Sequence, residues 1–121
     1  MATVPEAVSD MMVTVKSREI QRGLLAEMHN DVVAASRHFL AAAHMELVLA
    51  SDYTGAGQED LARRSRLSAA SCLWRAGRIA QAQQEFEAVL REHPTQAVAI
   101  QRIIADLEKS HPLDRPALGA P

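Results

Sequence analysis

The sequence is poor in several residue types, and each shortage closes off a class of function. A single cysteine, Cys72, cannot form an internal disulfide, and nothing stands at a zinc-ligand spacing from it. Four of the 121 residues are aromatic, so any core must be built from small and aliphatic side chains. Neither charge sign dominates: 13 Lys and Arg against 15 Asp and Glu give a net charge of -2, which argues against nucleic-acid binding through overall charge. No stretch reaches the roughly 18 consecutive apolar residues of a membrane span. The N-terminal MATVPEAVSDMM lacks a basic start followed by an apolar run. The expectation is therefore a soluble, cytoplasmic protein with no membrane and no nucleic-acid partner.

Motifs for chemistry are also missing. The five histidines form no HExxH and no paired ExxH pattern, and His38 and His44 lie about 240° apart around a helix. His38 shares a face with Asp31, and Glu46 follows the apolar stripe of the same segment; an arginine such as Arg63 or Arg66 is the expected companion of Glu46. The Gly55-Ala56-Gly57 turn precedes a helix but lacks the lysine of a phosphate loop. Ser68 and Ser71 have no local base, and Cys72 sits in a small-residue stripe as a buried thiol does. The chain reads as no enzyme, with no cofactor and no metal site.

What the sequence does have is alanine, 22 residues of it, the best helix former and one that lets backbones approach closely. The periodicities predict an all-α protein of about five helices. The first runs from about Ser17 to His29, since Val13, Thr14 and Val15 are β-branched; residues 1–16 are expected to be poorly ordered or a loosely packed helix start. Asp31 caps a second helix of about 20 residues, Val32 to Ser51, with Ala35, Phe39, Ala42 and Leu47 in one stripe. Asp52 to Gly57 is a loop, followed by a third helix to Ala76. Gly77 ends that helix in the left-handed conformation, and the fourth runs from Ile79 to before Pro94. A fifth spans about Thr95 to Lys109. Residues 17–109 thus form one helical domain, and 110–121, with three prolines and a glycine, a disordered tail.

Asn30, Val32, Ala35, Phe39 and Ala42 align at a constant offset of 47 with Gly77, Ile79, Ala82, Phe86 and Val89. A small residue five after the turn lets the second helix touch the first, and a phenylalanine one turn later plugs the space toward the next pair. With Pro94 closing the unit, the segment from Leu67 to Pro94 resembles a tetratricopeptide repeat (TPR), a helix pair that holds other proteins. The departures are that the family's tryptophan, glycine and tyrosine positions fall on Arg66, Ala70 and Leu73, and that the spacing of 47 exceeds the usual ~34.

The resemblance implies a TPR-like right-handed α-solenoid of antiparallel helix pairs. In it the first helix of each pair lines a concave groove that receives a protein or peptide partner. Arg64, Leu67, Ser71, Trp74 and Arg75 would look into that groove, where arginine forks bind carboxylates and an indole offers rigid contact. Against this, a helix arginine is ordinarily a solvated charge and a lone tryptophan ordinarily core. The function implied is a non-enzymatic adaptor or chaperone-like module. The alternative is a structural self-association unit, a homodimer through the aliphatic side of the fifth helix at Ile100, Ile103, Ile104 and Leu107. A helical-bundle metal protein or enzyme comes last.

Overall fold

A computed structural model describes residues 5–113. Five α-helices follow one another: α1 (Glu6–Met28), α2 (Val32–Gly55), α3 (Glu59–Arg75), α4 (Ile79–Glu92) and, after a 3-10 turn at Pro94–Gln96, α5 (Ala97–Ser110). No strand occurs among the described residues, as expected for an all-α chain.

The first three connections are built alike. Each carries one residue at positive φ: Asn30 at 58°, Gly57 at 75° and Gly77 at 81°. After each, the next amide reaches back to the carbonyl five residues earlier, Asp31 to Ala26 at 2.9 Å, Gln58 to Tyr53 at 2.8 Å and Arg78 to Leu73 at 2.8 Å. These are Schellman turns, which satisfy the last carbonyls of one helix and reverse the chain within about three residues. Asp31 then caps α2, its Oδ1 accepting from the Ala34 amide at 3.0 Å.

α2 packs against both α1 and α3, α4 packs against α3, and α5 touches α3 and, sparsely, α4. The contacts are alanine-rich: Ala42, Ala43, Ala69, Ala70 and Ala82 are fully buried, beside Phe39, Trp74 and Phe86. Residues at the offset of 47 take equivalent places, Ala35 with Ala82, Phe39 with Phe86 and Ala42 with Val89 all being buried. Val32 departs from this pattern, since it is exposed.

Several boundaries differ from expectation. α1 begins at Glu6 rather than near Ser17, because the early turns are held on α2: Ser9 donates to Asp52 Oδ2 at 3.3 Å, and Lys16 bonds to Glu46. Packing of this kind outweighs the weak helix propensity of Val13–Val15. α2 continues through Asp52–Gly55, so the expected loop shrinks to a turn around Gly57. At the other end Ser110 is still helical and His111 is buried, while 114–121 of the expected tail lie outside the described residues. An 18-residue window of α2 reaches a mean hydropathy of 1.2, enough by length and composition for a membrane span, although no such stretch was expected.

Candidate functional site

Helices α1 and α3 run in the same direction side by side on α2. Near their N-terminal ends Val13 and Leu61 line one cleft, and near their C-terminal ends Glu27 Oε1 pairs with Arg75 Nη1 at 3.4 Å. Between these points both helices pack on α2. Toward the second point the Phe39 ring lies against Gly23, and Arg75 stands 5.4 Å from the ring centroid.

At the first point is a cleft of about 290 Å³ lined by Val13, Lys16, Glu46, Leu49, Tyr53, Leu61, Arg64, Ser65 and Ser68. Glu46 stands at its base with 1% of its surface exposed. Lys16 Nζ donates to Glu46 Oε2 at 3.2 Å and keeps 22% side-chain exposure. The other oxygen, Oε1, is buried and has no hydrogen-bond partner among the described residues. A buried carboxylate oxygen without a donor is costly, since an unmade hydrogen bond forfeits its hydration without return. Arg64 is exposed at the same cleft, and among the described residues no carboxylate pairs with it. Next to this cleft Cys72 is buried, and its pKa is pushed up to about 11, first by burial and then by the charge of Glu46. Such a thiol is a poor nucleophile at neutral pH.

The five residues expected to share a groove do not stand together. Arg64 lines the cleft, and Arg75 pairs with Glu27 near the other ends of α1 and α3. Leu67 packs against the core, and the Ser71 hydroxyl donates to the Leu67 carbonyl at 3.0 Å. Trp74 is a correction: with 0% exposure it is core, and its indole N–H donates to the His111 carbonyl at 2.9 Å. His111 also reaches Glu27 Oε2 through Nε2 at 2.8 Å, so the end of α5 is latched to both α1 and α3. Because α3 turns 100° per residue, Leu67 and Trp74 lie on the strip beside that of Arg64 and Arg75 and meet the core and α5.

The companion of Glu46 is likewise corrected. Arg66 bonds to Glu85 at 3.0 Å and to Glu92, and Arg63 to Asp60 at 3.0 Å, leaving Glu46 to Lys16 from α1. Partial burial works against the Arg66 charge, but the hydrogen bonds to Glu85 and Glu92 outweigh it and hold its pKa above the ordinary value. His38 pairs through Nδ1 with Glu19 Oε2 at 2.7 Å, and among the described residues no three His, Cys, Asp or Glu side chains come together to hold a metal. Two further clefts differ in character. One of about 360 Å³ between α2, α3 and α4 is rimmed by the already paired Arg63, Arg66, Glu85 and Glu92. The other, about 320 Å³, is mainly apolar and lies where Trp74, Phe86 and Leu90 face Ile100 and Ile104.

The signal for the Glu46 site was present in the sequence as a carboxylate beside the Phe39 stripe, but Lys16 lay in the segment not expected to pack. No known protein family, curated protein or solved structure matches this chain.

Proposed function

We propose that the protein is a non-enzymatic interaction module, an adaptor that holds a segment of a partner protein at the cleft between α1 and α3. The observation that carries this reading is the cleft of about 290 Å³, where the exposed Arg64 guanidinium has no carboxylate partner among the described residues and stands with the Lys16–Glu46 pair. A charged group without a carboxylate partner beside the apolar walls of Val13, Leu49 and Leu61 is what a recognition site needs, and the fold keeps it between two parallel helices. A TPR-like arrangement is supported by the Schellman turns at Asn30 and Gly77 and by the paired burial of Phe39 and Phe86. It is supported too by Gly23, which stands 47 residues before Ala70 and meets Phe39 directly.

The test is a photo-crosslinking residue placed at Arg64, compared with one at Gln84, exposed on α4, in the full chain in cells of the source organism. A discrete protein adduct from position 64 and not from position 84 is expected. The same adducts from both positions, or none from either, refute the cleft as a partner site.

A second reading has an observation of its own. Ile100 and Leu107 cap the chain's own core, but Ile103 and Ile104 remain half-exposed, Ile104 lining the apolar groove between α4 and α5. This favours self-association through α5. A dimer in light scattering that Ile103→Asp dissolves, with helicity retained, supports it; a monomer at micromolar concentration excludes it.

A further inference from the structure

The end of α5 carries a conformational device of its own, independent of the reading of the α1–α3 cleft. α5 packs sparsely on its neighbours, and its C-terminal turn is fastened by His111: the ring reaches Glu27 on α1, and the carbonyl accepts from the Trp74 indole on α3. We propose that His111 closes this turn as a doubly protonated imidazolium, so that the end of α5 is a latch held shut by a proton and released as pH rises.

The protons follow from which atoms can donate. The Ser110 hydroxyl has one proton and gives it to the Asp106 carbonyl at 3.0 Å, which can only accept. The same hydroxyl oxygen lies 2.8 Å from Nδ1 of His111, so there it accepts, and Nδ1 carries a proton. Across the ring Nε2 stands 2.8 Å from Glu27 Oε2, and an ionised carboxylate only accepts. Both ring nitrogens are therefore donors, a state that only the charged imidazole reaches. A neutral ring loses one side: a lone proton on Nδ1 turns the Nε2 lone pair on the carboxylate, and a lone proton on Nε2 pulls the Ser110 hydroxyl away from Asp106. With 8% of its side chain exposed, the ring has little water to make up the loss.

The charged surroundings give the latch two positions. Glu27 faces the ring from α1, and Arg75 of α3 stands on its other oxygen at 3.4 Å; on α5 itself Asp106, Glu108 and Lys109 are exposed, and among the described residues α2 and α4 give the ring no hydrogen bond or ion pair. One carboxylate is thus shared by a guanidinium that keeps its proton and an imidazole that can lose it. The closed turn needs the ring proton and a lifted turn does not, so closure is favoured on the acid side and weakens as pH rises through the imidazole range, between about 5 and 8. When the ring lets go, Glu27 keeps Arg75, and the His111 carbonyl withdraws from the indole N–H that it holds at 2.9 Å.

Trp74 is the only tryptophan, so its indole reports this turn alone. Nuclear magnetic resonance spectra of the full-length ¹⁵N- and ¹³C-labelled chain, taken between about pH 5 and 8, follow the indole Nε1–H and the His111 ring carbons together. Both signals are expected to move with one midpoint. Exchange of the indole proton with solvent, corrected for its intrinsic pH dependence, should quicken about tenfold, the loss of one charge-assisted hydrogen bond. Glu27→Gln keeps the shape of the partner without its charge and should leave the indole nearly insensitive to pH, with helicity retained; His111→Gln should do the same. An indole that stays unchanged while the His111 ring titrates overturns the latch. So does an indole that moves as far in Glu27→Gln or His111→Gln as in the native chain, a result that hands the effect to another histidine.

Discussion

Replacing Gly23 with alanine sets two effects of opposite sign against each other. Within a helix, alanine is favoured over glycine by about 1 kcal/mol, so propensity alone predicts a more stable protein. Gly23, however, is buried against Phe39: a Cβ at this position would lie 2.8 Å from Cε2 and 2.9 Å from Cδ2 and Cζ of the ring. Real side chains do not approach so closely, and the ring has little room to yield, being itself 1% exposed with Arg75 near it. Overpacking of this sort costs about 1–3 kcal/mol, so the net expectation is a loss of about 1 kcal/mol. For a chain of this size that lowers Tm by about 3–5 °C. Urea unfolding followed by helical circular dichroism and by emission from the buried Trp74 gives the measurement. The decisive control is Phe39→Leu, which removes Cε2 and Cζ: in that background Gly23→Ala should turn neutral or stabilising. Stabilisation by about 1 kcal/mol in the native background, or an equal effect in both, would refute close packing of α1 on α2 at this point.

Three further substitutions probe other parts of the structure. Lys16→Met leaves the Glu46 carboxylate buried with neither oxygen paired and should cost about 3–5 kcal/mol in urea unfolding, while Lys16→Met with Glu46→Leu should recover most of that loss; equal stability of the single variant and the native protein would show the pair to be incidental. The Cys72 thiol stays protonated in the folded state up to about 11 whereas the unfolded thiol ionises near its ordinary 9.0, so folding stability should fall as pH rises from the lower value toward the higher. The fall is of order 2–3 kcal/mol at its full extent, and Cys72→Ala should show a correspondingly flatter alkaline limb. Gly57→Ala meets nothing within 4 Å, so its cost is backbone strain alone at φ 75°, about 1–2 kcal/mol, and a neutral result would place the turn in another conformation.

What could be read from the sequence and what could not divide along a physical line. Short-range rules carried the hairpins: Asn30 and Gly77 are where a left-handed residue must stand, Asp31 is where a cap must stand, and the alanines and phenylalanines at the 47-residue offset are buried because helices meet there. The site depended on contacts between residues far apart in the chain. Lys16 meets Glu46 across 30 positions, and the β-branched run before it argued locally against a helix that packing on α2 stabilises. Trp74 was assigned to an open face because the residue that covers it, His111, belongs to a segment whose proline content suggested a tail. A solvent-facing helix in a repeat presents one strip to its ligand, and on α3 the choice between the strip of Arg64 and Arg75 and that of Leu67 and Trp74 is a rotation of about 80°. That rotation is fixed by α5 and His111 on one side and by Glu27 on the other. The same contacts that bury the tryptophan therefore turn Arg64 toward α1, and the proposed binding surface moves from an aromatic groove to a polar cleft that Arg64 shares with the Lys16–Glu46 pair.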